Sequence, residues 1–412
     1  MCLRRANIFL RFQNMVAKKK VSTRKVTPRL ATKKTSSKGV ASASLSKKVG
    51  GYKRRVLTKE SEAFLSSYLN NASPTGFEAP GQKLWLDYIK PFVDEVHLDT
   101  YGTAYGVINP GADFKVVIEA HADEISWFVA YITDSGLIYV RRNGGSDHQI
   151  APSKRVNIHT KNGYVKGVFG WPAIHTRDGK EEGPTLKNIF IDIGAKNKKE
   201  VESLGIHVGS VITYEDEFTT LLDRYFVGRA LDNRAGGFMI AEVARLLKER
   251  KKKLPYSLYI VNSVQEEIGL RGAHMVAETI KPDVAIVTDV CHDTSTPSIN
   301  KIVEGDTKCG LGPVLTYGPA VHNKLLDLII TTAEAQKISF QRDAASRSTG
   351  TDTDSFAYAN GGTPSALISL PLKYMHTTVE MAAISDVESV IELMLGTLLA
   401  LKPSFDFRYF TP

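Results

Sequence analysis

Two adjacent carboxylates, Glu266 and Glu267, follow an apolar run over residues 257–264, and Gly269 then breaks the pattern. Neighbouring side chains in an extended segment point opposite ways, so one glutamate can grip a cation while the other handles a proton. An isolated Glu-Glu pair is more often a solvated turn, but here the pattern recurs. His121 closes the run 115–120, Asp289 closes 283–288, and His376 follows 366–370 by way of Pro371 and Tyr374-Met375. Asp232 stands near the start of an amphipathic segment, 231–251, where a helix dipole favours a carboxylate. Two imidazoles and three carboxylates, with no thiolate required, form a mixed nitrogen and oxygen set suited to Zn²⁺ or Co²⁺. Seven or eight ligand atoms exceed one tetrahedral ion. They fit two divalent ions bridged by a carboxylate, roughly 3.5–4 Å apart. Asp123, two residues beyond His121, can accept the other ring N–H of that histidine and fix its tautomer.

The elements that must deliver these residues are legible from hydrophobic periodicity. Residues 257–264 and 115–120 are filled on both faces by β-branched and aromatic side chains, as in strands covered on both sides. Charges cannot continue such strands, so the acids and histidines should emerge at their carboxyl ends, where open α/β sheets bind ligands. Apolar residues at helical spacing mark helices over 58–69, 84–93, 231–251, 273–280 and 324–336. Ser385-Asp386-Val387-Glu388 reads as a capping box opening a last helix that ends before Pro403. Strands alternating with helices predict an α/β fold, a mostly parallel sheet with helices on both faces. Residues 127–217 differ. Short alternating segments separated by Asn143-Gly144 and Asn162-Gly163 predict hairpins and a small inserted β-barrel-like domain. The expected division is a basic tail over 1–56, a catalytic domain over 57–126 and 218–412, and the insert over 127–217.

The net charge of +9 is uneven. Residues 1–55 carry 17 Lys and Arg and no acid, leaving 36 basic against 44 acidic residues in the remainder. An acidic body with a basic tail gives no overall argument for nucleic-acid binding. The tail is expected to be disordered. It reads either as an organelle transit peptide, mitochondrial or plastid, or as an arm touching RNA or anionic lipid. Met15 is an alternative start. Three scattered cysteines suit a reducing compartment, and the cytoplasm is the expected location. No stretch approaches the roughly 20 apolar residues needed to cross a bilayer.

From about residue 57 to 401 the chain resembles the tetrahedral, dodecameric metallo-aminopeptidases, which include glutamyl, leucyl and lysyl enzymes and some relatives labelled endoglucanases. The resemblance rests on Ser73-Pro74-Thr75-Gly76-Phe77-Glu78, His121-Ala122-Asp123-Glu124-Ile125, Ala230-Leu231-Asp232-Asn233-Arg234, Val264-Gln265-Glu266-Glu267-Ile268-Gly269, Thr288-Asp289-Val290, Gly350-Thr351-Asp352 and Tyr374-Met375-His376. It implies a zinc-exopeptidase-like fold and removal of N-terminal residues from peptides by a two-metal, bridging-hydroxide mechanism. Asp232 would bridge two ions, with His121 and Asp289 completing one site and Glu267 and His376 the other. Glu266 would be the catalytic base, and Asp123 would orient His121. The insert would mediate dimerisation, with dimers assembling into a dodecamer. Ser126, Leu311 and Lys373 depart from the family pattern at positions close enough to the pocket to bear on side-chain preference.

Other chemistries remain open on the residues alone. A di-metal carboxypeptidase or deacylase would use the same sheet edge. A glycoside hydrolase would use Glu266 and a second carboxylate and leave both histidines idle. An RNA-associated role would reside in the tail. Asp352 reads as a pocket-lining residue or a turn residue after Gly350, and Cys291 as a small buried filler.

Overall fold

The structure, a computed structural model, describes residues 50–177, 179 and 182–411. The expectations for the basic tail fall on residues 1–49, outside the described residues. The folded body starts ahead of the expected boundary at 57. The Glu388 carboxylate accepts the backbone N–H groups of Arg55, Val56 and Leu57 at 2.7, 2.7 and 2.9 Å, and the Tyr52 hydroxyl donates to it at 2.7 Å. This use of Glu388 corrects the capping-box reading. The last helix, Ile384–Ala400, has no side-chain cap, and Asp386 instead accepts the N–H groups of Gly310 and Gly312. The box forms elsewhere, between Thr58 and Ser61 at the head of Lys59–Asn70.

The central sheet has eight strands, in spatial order Glu95–Leu98, Ala104–Ile108, Ser257–Ser263, Lys115–His121, Val284–His292, Ser365–Leu372, Val314–Tyr317 and Gln341–Ala344. Its four middle strands are parallel and buried, as their unbroken Val, Ile and Leu content requires. Helix Leu231–Glu249 is buried along nearly its whole length, packed on strand Lys115–His121 and against Ile384–Ala400, Lys59–Asn70 and Ala79–Ile89. Arg271–Ile280 packs on the short helix Thr353–Ala357, which covers strands Val284–His292 and Ser365–Leu372. This is the expected α/β sheet with helices on both faces.

The insert is a closed six-stranded barrel, Ser126–Ile132, Ile138–Asn143, Phe190–Asp192, Gly163–Gly170, Arg155–Thr160 and Val211–Tyr214 in ring order. Trp127, Ile158, Phe169 and Ile212 fill it. Gly163, with φ near +116°, turns the hairpin between Thr160 and Gly163 as its sequence predicts. Asn143-Gly144 is no hairpin. Strand Ile138–Asn143 pairs with Ser126–Ile132 and Phe190–Asp192, and Gly144 leads out of the barrel toward Glu267.

Among the described residues no helix is long and apolar enough to cross a membrane.

Candidate metal centre

Sheet register sets the first half of the site. Ser263 pairs with His121, and Val287 pairs with Glu119, so Asp289 lies level with His121 one strand over. Asp289 was expected to close its strand, and it does not. Val290, Cys291 and His292 continue the ladder against Leu370, Pro371 and Leu372. Asp232 is also misread by helix logic. It and Asn233 have non-helical backbones joined by a cis peptide, so Asp232 reaches the site from an extended residue ahead of the regular helix. Glu266 and Glu267 sit in a 3₁₀ turn after Gln265, so it is a turn, and not strand alternation, that separates their side chains.

These residues meet. His121 Nε2 lies 3.2 Å from Asp232 Oδ1 and 3.9 Å from Asp289 Oδ1. His376 Nε2 lies 3.2 Å from Asp232 Oδ2 and 3.5 Å from Glu267 Oε1. Among the described residues two groups of three could each hold an ion, His121 with Asp232 and Asp289, and Asp232 with Glu267 and His376; within each, the ligand atoms lie within 4.8 Å of one another. Asp232 belongs to both and offers one oxygen to each histidine. Glu266 Oε2 stands 3.8 Å from His121 Nε2. Asp123 Oδ1 lies 3.3 Å from His121 Nδ1, and its carboxylate also accepts the backbone N–H groups of Glu266 and Glu267. One side chain thus orients the imidazole and fixes the turn that carries both glutamates. The cluster opens on a cavity of about 530 Å³ lined also by Val290, Cys291, Thr351 and Met375.

The electrostatics call for cations. Burial pushes Glu266 up to about 10, with the positive His121 opposing and the negative Asp289, Asp352 and Glu267 adding to the rise. Burial also raises Glu267, and it carries Asp289 well above the usual carboxylate range. Burial works against a charged His121, yet Asp123 and Asp232 hold it well above its usual value. His376 is pushed up to about 11 by Asp232 and Glu267 against the same opposing effect. Asp232 is also opposed by burial, but the two histidines hold it well below its usual value. Two buried and two half-buried carboxylates around two imidazoles form a donor set that fits divalent cations, which neutralise the acids and take the place of imidazole protons.

Several participants were not singled out by sequence reasoning. The Thr75 hydroxyl donates to Asp123 Oδ2 at 2.9 Å. Gly145 packs against His376, since a Cβ there would lie 2.5 Å from the ring Nδ1. Glu119 is fully buried beside Asp352, and burial pushes it up to about 7. A charge inside the run Val116-Val117-Ile118-Glu119-Ala120 was the available signal. Asp352 itself is buried and does not line the cavity, whereas Thr349, Gly350 and Thr351 do. Cys291, expected as a buried filler, is partly exposed and lines the cavity wall.

Likeness to known proteins supplies the class, a hydrolase of the aminopeptidase type. Residues 102–393 match the profile of the family described as M42 glutamyl aminopeptidase. The chain belongs to that family, whose members depend on metal. It is similar to lysyl aminopeptidase of Pyrococcus furiosus, 32% identical over 343 residues, which span 82% of this chain and 97% of that protein. Among solved structures, aminopeptidase APDkam598 of Desulfurococcus kamchatkensis superposes with a TM-score of 0.76 at 30% identity, covering 82% of this chain and 94% of that one. Pyrococcus horikoshii TET1 peptidase, described as assembling into a tetrahedron or a large octahedral shell, gives a TM-score of 0.73 at 25% identity over 82% of this chain and 98% of that one.

Proposed function

We propose that this chain is a two-metal aminopeptidase that removes N-terminal residues from peptides. The observation that carries the reading is Asp232, whose two oxygens face His121 and His376 at the same distance of 3.2 Å. His121 and Asp289 would hold one ion with Asp232, and Glu267 and His376 the other. The chemistry supplied by a bound pair of Zn²⁺ or Co²⁺ ions is Lewis-acid polarisation of a carbonyl and a lowered pKa for water. Glu266 is the proton carrier, taking a proton from water and delivering it to the leaving amine. That task requires its carboxylate form near working pH, and neighbouring positive charge lowers its pKa toward that range. Asp123 fixes the ring of His121 and, through two backbone amides, the position of Glu266.

The barrel is proposed to mediate dimerisation within a larger assembly, a dodecamer built from dimers. Exposed Tyr131, Tyr164, Val168, Ile174 and Val208 on the insert support this, as does the assembly described for the Pyrococcus horikoshii relative. A cytoplasmic location is part of the same reading.

The test is hydrolysis of a panel of aminoacyl chromogenic amides by protein that has been stripped with a chelator and reloaded with Zn²⁺ or Co²⁺. Activity should require reloading and a free α-amino group. N-acetylated substrates turned over equally well, or activity undiminished by stripping, would overturn the reading.

A further inference from the structure

Glu380 belongs to neither triad and does not line the cavity, yet it is only 2% exposed. Both its oxygens are engaged by backbone amides. Oε2 accepts the N–H of Asp232 at 3.1 Å, and Oε1 accepts the N–H of His376 at 2.8 Å. Asp232 is the residue the two triads share, and His376 belongs to the outer one, Asp232 with Glu267 and His376. Their backbones are otherwise irregular. Asp232 is non-helical at the head of its helix, and His376 has a φ of +61°, a left-handed conformation that a residue with a Cβ adopts reluctantly.

The topology explains how one side chain reaches both. Strand Glu380–Ala383 pairs antiparallel with Tyr225–Gly228, and Glu380 stands opposite Gly228. Asp232 lies four residues beyond Gly228 on one strand, and His376 four residues before Glu380 on the other. Glu380 therefore sits at the root of two loops that leave the same short ladder, and it clasps the amide at the tip of each. A carboxyl group offers two oxygens, enough to accept one amide on each. A ligand role does not fit, because both oxygens are occupied by amides. A proton-carrying role does not fit, because the group is closed off from the cavity.

We propose that Glu380 is a positioning residue for the metal pair, a single buried carboxylate that fixes the backbones of the shared ligand Asp232 and of His376 relative to one another. This inference rests on the two-metal reading. Glu380→Gln keeps the size but turns an NH₂ against one of the two amides, so one brace is lost. The control is Asp386→Asn. Asp386 is also a buried carboxylate accepting two backbone amides, at 2.6 and 3.0 Å, but those amides belong to Gly310 and Gly312, outside both triads.

The experiment titrates metal-free wild-type, E380Q and D386N proteins with Co²⁺. It follows bound metal by equilibrium dialysis and coordination geometry by visible absorption, with kcat and KM measured at each Co²⁺ concentration. E380Q should bind Co²⁺ about 10- to 100-fold more weakly, show an altered absorption band, and recover turnover as Co²⁺ is raised. D386N should lose thermal stability and leave Co²⁺ affinity unchanged. Glu380→Asp keeps the carboxyl group but shortens the reach by one methylene; it should weaken binding in the same direction and carries the comparison if E380Q fails to fold. Wild-type affinity and spectrum in E380Q, or equal weakening in D386N, would overturn the assignment alone. A wild-type protein that takes up no Co²⁺ would overturn the two-metal reading and this assignment with it.

Discussion

The two triads share Asp232 but are built on different supports. In the inner one His121 closes a central strand with its side chain 1% exposed, Asp289 lies within the neighbouring strand, and Asp123 stands behind the imidazole. In the outer one His376 rides a loop with its side chain 33% exposed, and Glu267 rides a one-turn 3₁₀ segment. Similar donors on a sheet and on loops should grip with different strength, because a ligand held by a strand ladder loses less freedom when it binds. The inner position is therefore expected to be tight and the outer one exchangeable.

The comparison is broken most severely at the shared residue. Asp232→Asn should abolish stoichiometric binding of both ions and with it detectable turnover; elemental analysis that still finds two ions per chain would remove Asp232 as the bridge. Next in size, Glu266→Gln should lower kcat by about 10²- to 10⁴-fold while both ions remain bound, since Glu266 belongs to neither triad. Asp123→Asn loosens the inner histidine and, through the amides of Glu266 and Glu267, the turn that carries an outer ligand, so it should weaken the inner ion by about 10- to 100-fold and the outer ion less. A chelator titration of the wild-type protein sharpens the contrast. Metal release should come in two phases, and the early phase should disappear in His376→Ala but persist in His121→Ala.

Acidity gives a further handle. In the metal-free protein His376 is raised to about 11 and Glu266 to about 10, while Glu78 is raised to about 7, chiefly by burial with Asp123 adding to it. A group raised on folding binds its proton more tightly in the folded state. Its stabilisation is complete below its unfolded pKa and fades as pH climbs through the folded one. The Tm of stripped protein should therefore fall steadily from pH 5 to pH 10, and binding of each ion at pH 7.5 should release protons, measurable as a buffer-dependent heat. A flat Tm profile would show that these groups keep ordinary acidity. The smallest expected effect is Thr75→Val, which removes one hydrogen bond to the Asp123 carboxylate and should cost about 1.5–3 kcal/mol of stability.

The site was legible where chemistry interrupts periodicity. His121 ends a run of buried β-branched residues, and Glu266 follows another, so sheet register alone brings their neighbourhoods together. The fold class followed from the same runs, and the barrel from alternation. What stayed hidden was held by long-range backbone partners. Asp289 looked like a strand end because its charge masked the continuing ladder through His292. Ser385 and Glu388 had the spacing of a cap, but Glu388 is drawn off by amides more than 300 positions away. Glu380 carries no local pattern, since its partners Asp232 and His376 are joined only by the pairing of Tyr225–Gly228 with Glu380–Ala383. Asn143-Gly144 has the composition of a hairpin, and only the barrel's closure by other strands turns it into an exit toward His376.

The grip of Glu388 on the segment around residue 56 has a practical side for anyone trimming this protein. A version cut back to Thr58 would strip that carboxylate of four donors at once and leave an uncompensated negative charge in the interior. Cutting just ahead of Gly50 removes most of the basic tail and keeps the clasp whole, so the two truncations should differ sharply in yield although they lie only eight residues apart.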